Sequence, residues 1–166
     1  MRLFAAVQPS SEFRASLQDV QEQLKAAGVA GRYREPEGLH LTLAFIGEWP
    51  GNAAPCMPKI EKPFTITLSG LGIFQEAKVL WAGVKPSEEL DRLAEQVRRS
   101  LAAAGIPFDR KAFFPHITLA RKPVVPEGMV LDGIRVRAVP MIVDTVCLYR
   151  SEQGDDGMTY TVIAKS

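Results

Sequence analysis

The chain has 166 residues, 46% of them hydrophobic and 23% charged, a size and composition that fit one globular core. Its 20 lysines and arginines against 19 aspartates and glutamates leave a net charge of +1, which excludes an extended polyanion-binding surface and confines any nucleic-acid contact to a local pocket or a strand end. Cys56 and Cys147 stand far apart with no CxxC pairing, and neither a charged-then-apolar leader nor a long apolar run is present, so a reduced, soluble, cytoplasmic protein without membrane association is expected.

The first element is Arg2-Leu3-Phe4-Ala5-Ala6-Val7, a short apolar run suited to a strand buried on both faces. Pro9-Ser10-Ser11-Glu12 then opens a helix: a serine can cap the orphan N–H groups, Glu12 complements the helix dipole, and Phe13, Leu17, Val20 and Leu24 fall on one stripe before Gly28 ends it. Arg32 to Gly38 reads as a polar loop leading into a strand from His40 to Gly47. Trp49 to Pro63 carries four prolines and reads as irregular connection. Phe64 to Leu68 alternates as a strand, a turn is expected near Gly70 and Gly72, and Val79 to Val84 is the next strand. Pro86-Ser87-Glu88-Glu89 opens a second helix with the stripe Leu90, Leu93, Val97 and Leu101, closed by Ala103-Ala104-Gly105. A strand from His116 ends at Arg121-Lys122-Pro123, and Pro126 to Gly128 marks a turn. Ile134 to Ala138 alternates apolar residues with arginine, and Ile142 to Tyr149 reads as one long strand. Gly154-Asp155-Asp156-Gly157 turns the chain back into Thr159 to Ile163, a hairpin.

The order strand, Pro-Ser-capped helix, Ala-Ala-Gly stop, basic loop and His strand occurs twice, at 1–47 and 78–122, offset by 76 to 77 positions. Two copies at so long a period describe two related lobes of a single bilobal domain spanning 1–166, facing each other across a cleft. Each copy ends in a matching stretch, His40-Leu41-Thr42-Leu43-Ala44 and His116-Ile117-Thr118-Leu119-Ala120, and these hold both histidines of the chain. With seven threonines in 166 residues, a Thr two positions after both histidines arises by chance on the order of once in five hundred sequences. In a strand, His and Thr at i and i+2 share a face, so each stretch presents an imidazole beside a hydroxyl. Two imidazoles can divide a displacement, one taking the nucleophile's proton and one protonating the leaving group, each role worth roughly 10²- to 10⁴-fold in rate. A hydroxyl between them can donate to an anionic oxygen, which suits in-line attack on a phosphodiester without a metal. The near-identity of the two motifs leaves open which histidine takes which role.

The paired H-x-T-x motifs resemble those of the two-histidine phosphoesterase superfamily, and their surroundings resemble its RNA 2′,3′-cyclic phosphodiesterase branch, historically called 2′-5′ RNA ligases. Arg2 to Ala5, Leu39 to Gly47, Val79 to Val84, Phe114 to Arg121 and Leu148 to Ser151 all fall in the family's order, so the resemblance covers nearly the whole chain. It implies an α+β, bilobal fold with two pseudo-symmetric lobes, antiparallel sheets around a central cleft, helices outside, and no metal or other cofactor. The implied reaction opens a 2′,3′-cyclic phosphate on an RNA end or nucleotide to a 2′-phosphate, with reversible 2′-5′ ligation as a related activity of a monomeric enzyme. In family terms His40 is the proton donor and His116 the proton acceptor, with Thr42 and Thr118 on the phosphate oxygens.

Further substrate-binding candidates are Arg121, Tyr33, Arg34 and Arg110. Strict alternation from His116 and Thr118 puts Arg121 on the opposite face, so it reaches the cleft only where the strand twists or ends. Tyr33 and Arg34 stand where the family often has Arg-Trp, and Tyr33 could stack on a base. Arg110 and Lys111 occupy the matching loop of the second copy, and Phe114 stands where the family commonly has a basic residue before Pro-His. Phe45, in phase with Leu41 and Leu43, reads as core, as does Trp81. Three rivals remain: a metal site, which the lack of a carboxylate or second ligand two to four residues from either histidine disfavours; a non-catalytic RNA-end-binding module; and action on another cyclic phosphate or a 2′-5′ oligonucleotide. Specificity should lie in the loops 29–38, 48–63 and 106–114.

Overall fold

The computed structural model describes residues 1–166. Both helices form where local signals place them. In α1 (Ser11–Ala26) the Ser10 hydroxyl accepts from the Phe13 N–H at 3.2 Å, and Phe13, Leu17, Val20 and Leu24 are buried. In α2 (Glu88–Ala103) Ser87 accepts from the Leu90 N–H at 3.1 Å, and Leu90, Leu93, Val97 and Leu101 are buried. Gly28 at φ +88° and Gly105 at φ +72° follow the helix ends in the left-handed conformation that glycine adopts without strain.

The strands are β1 (Arg2–Val7), β2 (Ala30–Tyr33), β3 (Leu41–Glu48), β4 (Phe64–Phe74), β5 (Val79–Val84), β6 (His116–Val124), β7 (Pro140–Val143), β8 (Cys147–Gly154) and β9 (Gly157–Lys165). They make one nine-stranded antiparallel sheet in the order β7-β4-β5-β6-β3-β1-β8-β9, with β2 added on β6. The fold is α+β. From β7 to β8 are six strand spacings, about 29 Å along the sheet. Yet the four steps from Val143 to Cys147 can span only about 14 Å. The sheet is therefore curled, so that its β7 edge swings round toward β8.

Helices and strands exchange between the two sequence copies. The second copy's α2 packs on β3 of the first, while β2 of the first pairs with β6 of the second. Buried Gln21 of α1 donates its amide to the carbonyls of Arg34 at 2.9 Å and Leu119 at 3.0 Å, tying that helix to the end of β2 and to the second His strand, β6. A continuous apolar core lies on the helix side, and a smaller cluster of Phe4, Ala6, Cys147 and Tyr149 lies on the concave side.

Three elements differ from the sequence expectation. Residues 30–33 are a strand and not loop, because β6 offers them an edge. The strand from Phe64 continues through Gly70 and Gly72 to Phe74, and the turn falls at 75–78. Gly72 is a strand residue whose missing side chain makes room for an indole: a Cβ there would lie 2.2 Å from Trp81. Ile142 to Tyr149 is not one strand but β7 and β8, which pair with β4 and β1 respectively, and 134–138 is not a strand. The break falls at Asp144-Thr145, where the polar pair stays near the surface while the chain changes neighbours.

Candidate active site

The two His strands meet at the centre of the sheet, where Leu41 of β3 and Ile117 of β6 are Cα partners. Both side chains are buried in the core, so their neighbours face the concave side. In this antiparallel register His40 lies opposite Thr118, and Thr42 opposite His116. An approximate twofold thus runs between the strands, and the two His-Thr pairs form a square with the imidazoles on one diagonal. All four residues line a cleft of about 660 Å³.

The imidazoles are oriented alike. His40 Nδ1 lies 2.7 Å from the Gly38 carbonyl, and His116 Nδ1 lies 2.8 Å from that of Phe114. A carbonyl only accepts, so Nδ1 carries the proton in each neutral ring and Nε2 presents its lone pair away from that backbone contact. Their surroundings differ. His40 sits among the rings of Phe4, Tyr149 and Tyr160, at centroid distances of 4.5, 5.5 and 5.4 Å. Burial pushes its pKa down to about 3, helped by Arg34 and to a lesser degree by His116 and Arg121, and opposed by the Gly38 carbonyl. Burial also lowers His116, with Arg34 and Arg121 adding to it and the Phe114 carbonyl opposing. Both rings are therefore neutral at pH 7 in the empty site.

Strict alternation misplaces two side chains, and a β-bulge accounts for each. On β6, Ala120 partners Leu80 but Thr118 partners Trp81, so Leu119 is an extra residue and Leu119 and Ala120 are both buried. The inserted residue reverses the phase, and Arg121 joins His116 and Thr118 in lining the cleft. On β3, Ala44 partners Ala5 but Thr42 partners Ala6, so Leu43 is extra and Leu43 and Ala44 are both buried. Phe45 is consequently not core: it lines the cleft beside Thr42, with the Arg2 guanidinium 5.2 Å from its ring centroid.

Arg34 also lines the cleft. Its guanidinium lies 4.9 Å from the Tyr160 ring centroid and donates at 3.3 Å to the same Gly38 carbonyl that holds His40. Tyr33 does not reach the cleft: its hydroxyl donates to the Val29 carbonyl at 2.7 Å and its ring packs under Lys25. Arg110 is likewise turned aside onto Phe108, and its neighbour Lys111 faces in. Trp81 is half-buried beneath the rim and does not line the cleft. Sequence reasoning missed the cleft positions of Arg2, Arg98 and Phe45, and named Lys111 only as the neighbour of Arg110. Arg2, Arg98 and Lys111 join Arg34 and Arg121 in a wall of five cations opposed by a single carboxylate, Asp109, in a chain whose net charge is only +1. The cleft concentrates positive charge where an anion would sit. No group of three His, Cys, Asp or Glu side chains gathers anywhere in the chain.

Two facing imidazoles with hydroxyls between them and a cationic wall, on a curled antiparallel sheet, define a two-histidine phosphoesterase. The chain belongs to the 2′-5′ RNA ligase superfamily, whose family model matches residues 9–155. It is 36% identical to the RNA 2′,3′-cyclic phosphodiesterase of Thermus thermophilus, over 99% of this chain and 89% of that protein. It is 29% identical to the RNA 2′,3′-cyclic phosphodiesterase of Thermotoga maritima, over 98% of this chain and 93% of the relative. Among solved structures it resembles Escherichia coli LigT complexed with 3′-AMP, at TM-score 0.83 and 25% identity, over 99% of this chain and 96% of that one.

Proposed function

We propose that the chain hydrolyses 2′,3′-cyclic phosphates on RNA ends or nucleotides to 2′-phosphates, without a metal, by general acid–base catalysis between His40 and His116. The observation that carries this reading is the cross-strand His-Thr square inside a cationic cleft. Relatives across 89% or more of their length bear the name of this activity.

In the order the family resemblance implies, His116 Nε2 takes a proton from water as the water oxygen bonds to phosphorus. The bond from phosphorus to the 3′ oxygen breaks, and that oxygen takes the proton of His40 Nε2. Thr42 and Thr118 donate to the non-bridging oxygens, and Arg34 and Arg121 neutralise charge on the phosphoryl group. His116 is the less enclosed ring, and its neutrality in the empty site suits a base. His40 is neutral too, so it must be charged when substrate binds: the phosphate anion raises its pKa, and the site takes up a proton with its substrate. The same displacement with a 5′-hydroxyl in place of water, its proton taken by His116 and the freed 3′ oxygen protonated by His40, joins ends through a 2′-5′ link. Action as a monomer in a reducing, cytoplasmic setting belongs to the same proposal, and the two cysteines, both free thiols, fit it.

Purified protein given 2′,3′-cyclic AMP with excess chelator should release 2′-AMP, resolved from 3′-AMP by chromatography. His40→Ala and His116→Ala should each lower turnover by about 10² or more while the fold is retained. A strict metal requirement, a 3′-phosphate product, or near-full activity in either variant overturns the reading.

A further inference from the structure

Phe114 is an aromatic side chain left open at the rim of the cleft. Of the large hydrophobic side chains that remain exposed, only Phe114, at 52%, and Met158 line the cleft. Other aromatic rings there are covered. The Arg2 guanidinium lies over Phe45, that of Arg98 over Phe113 and that of Arg34 over Tyr160, while Phe4 packs between His40 and Tyr149. Phe114 instead meets Phe74 and Trp81 nearly at right angles, with centroids 5.4 and 5.2 Å away, contacts that prop the ring without closing it off.

The prop is built at a cost to folding. Trp81 lies across Gly72, which must lack a side chain to admit it, and the buried indole N–H has no acceptor. Phe114 is also fixed relative to the chemistry. Its backbone carbonyl holds His116, and the two rings are 6.5 Å apart between centroids. In a 2′,3′-cyclic nucleotide one sugar separates the base from the phosphorus, so a phosphate beside His116 brings the base within reach of the Phe114 ring. A flat, uncharged group attached to an anion is the ligand this pairing of bare phenyl and cationic wall accommodates.

The geometry points to Phe114 as the nucleobase-stacking platform of this site, a binding residue that selects substrates by stacking area and so favours purines over pyrimidines. The inference rests on the phosphodiesterase reading above. Its test compares 2′,3′-cyclic AMP, 2′,3′-cyclic CMP and the 2,3-cyclic phosphate of methyl ribofuranoside, which has the sugar and phosphate but no base. In Phe114→Ala and Phe114→Leu, KM for cyclic AMP should rise about tenfold with little change in kcat. The preference over cyclic CMP should shrink, and kcat/KM for the base-free substrate should hold. Phe114→Trp should restore the preference. Every variant keeps the backbone carbonyl on His116, so an equal loss on the base-free substrate would mean that the side chain only props the histidine, which overturns the proposal. Unchanged cyclic AMP kinetics in Phe114→Ala overturn it as well. Wild type that turns over neither cyclic AMP nor the base-free substrate would sink the phosphodiesterase reading, and this inference with it, whereas turnover of both leaves that reading standing whatever Phe114 does.

Discussion

An imidazole held neutral inside the fold must cost stability in acid, and the pKa of His40 sets the size of that cost. The side chain goes from 6.5 in the unfolded chain to about 3 in the native one, first through burial and next through Arg34. Below about pH 6.5 the unfolded chain binds a proton that the native site refuses, so the unfolding free energy falls as pH falls, and continues to fall until about pH 3, where the native ring protonates too. Each pH unit inside that window costs about 1.36 kcal/mol. Going from about pH 7.5 to about pH 4.5 crosses roughly two units of it, or about 2.7 kcal/mol, a substantial part of the ~5–15 kcal/mol that holds a domain together. Carboxylates and His116 titrate in acid as well, so the quantity to measure is a difference. His40→Gln removes this one titration and leaves the others. Urea unfolding of both proteins across that range should show the variant gaining about 2–3 kcal/mol on wild type as pH falls, with unchanged m values. Parallel stability curves would refute the account of His40 as a buried neutral ring.

Three other substitutions test separate parts of the structure. Arg34→Gln removes the guanidinium that presses on His40, so the His40 ring protons should titrate at higher pH by NMR than in wild type; an unmoved titration would mean that Arg34 does not contribute. Gly72→Ala sets a Cβ 2.2 Å from the Trp81 indole and should cost about 1–3 kcal/mol of stability in denaturant unfolding, with a change in tryptophan emission; neutrality would show that the indole moves freely. Ser10→Ala and Ser87→Ala each delete a helix cap and should lower stability by about 1 kcal/mol apiece, additively, as read from urea midpoints.

What could be read from the sequence was what neighbouring residues decide among themselves. The capping serines, the apolar stripes and the closing glycines lie within one helix each, and the hairpin turn at 154–157 needs only its own four residues. The His-Thr pairs belong to the same class, because i and i+2 share a face of any unbroken strand. The strand at 30–33 and the break between β7 and β8 were not legible, since both depend on which edge the curled sheet offers to the chain. Tyr33 and Arg110 could be placed on the right loops but not aimed, because contacts with Val29 and Phe108 decide where they point.

The bulges show how a site can depend on a signal that alternation hides. Each copy follows its Thr with Leu-Ala, two small-to-medium apolar residues in succession, where simple alternation would turn one of them outward. In the folded chain both are buried in both copies, at Leu43-Ala44 and Leu119-Ala120, so the repeat carries the bulge along with the motif. The residue next presented to the cleft is then Phe45 in one copy and Arg121 in the other, 76 positions apart like the histidines themselves. The two His-Thr pairs are related by an approximate twofold and by themselves give the cleft no direction. A phenyl ring on one side and a guanidinium on the other remove that symmetry, as do the rings crowding His40 and the open rim beside His116. In the reaction proposed above, this asymmetry gives a substrate with an anionic end and an aromatic end a preferred sense of binding, and with it a basis for the two histidines to take opposite roles.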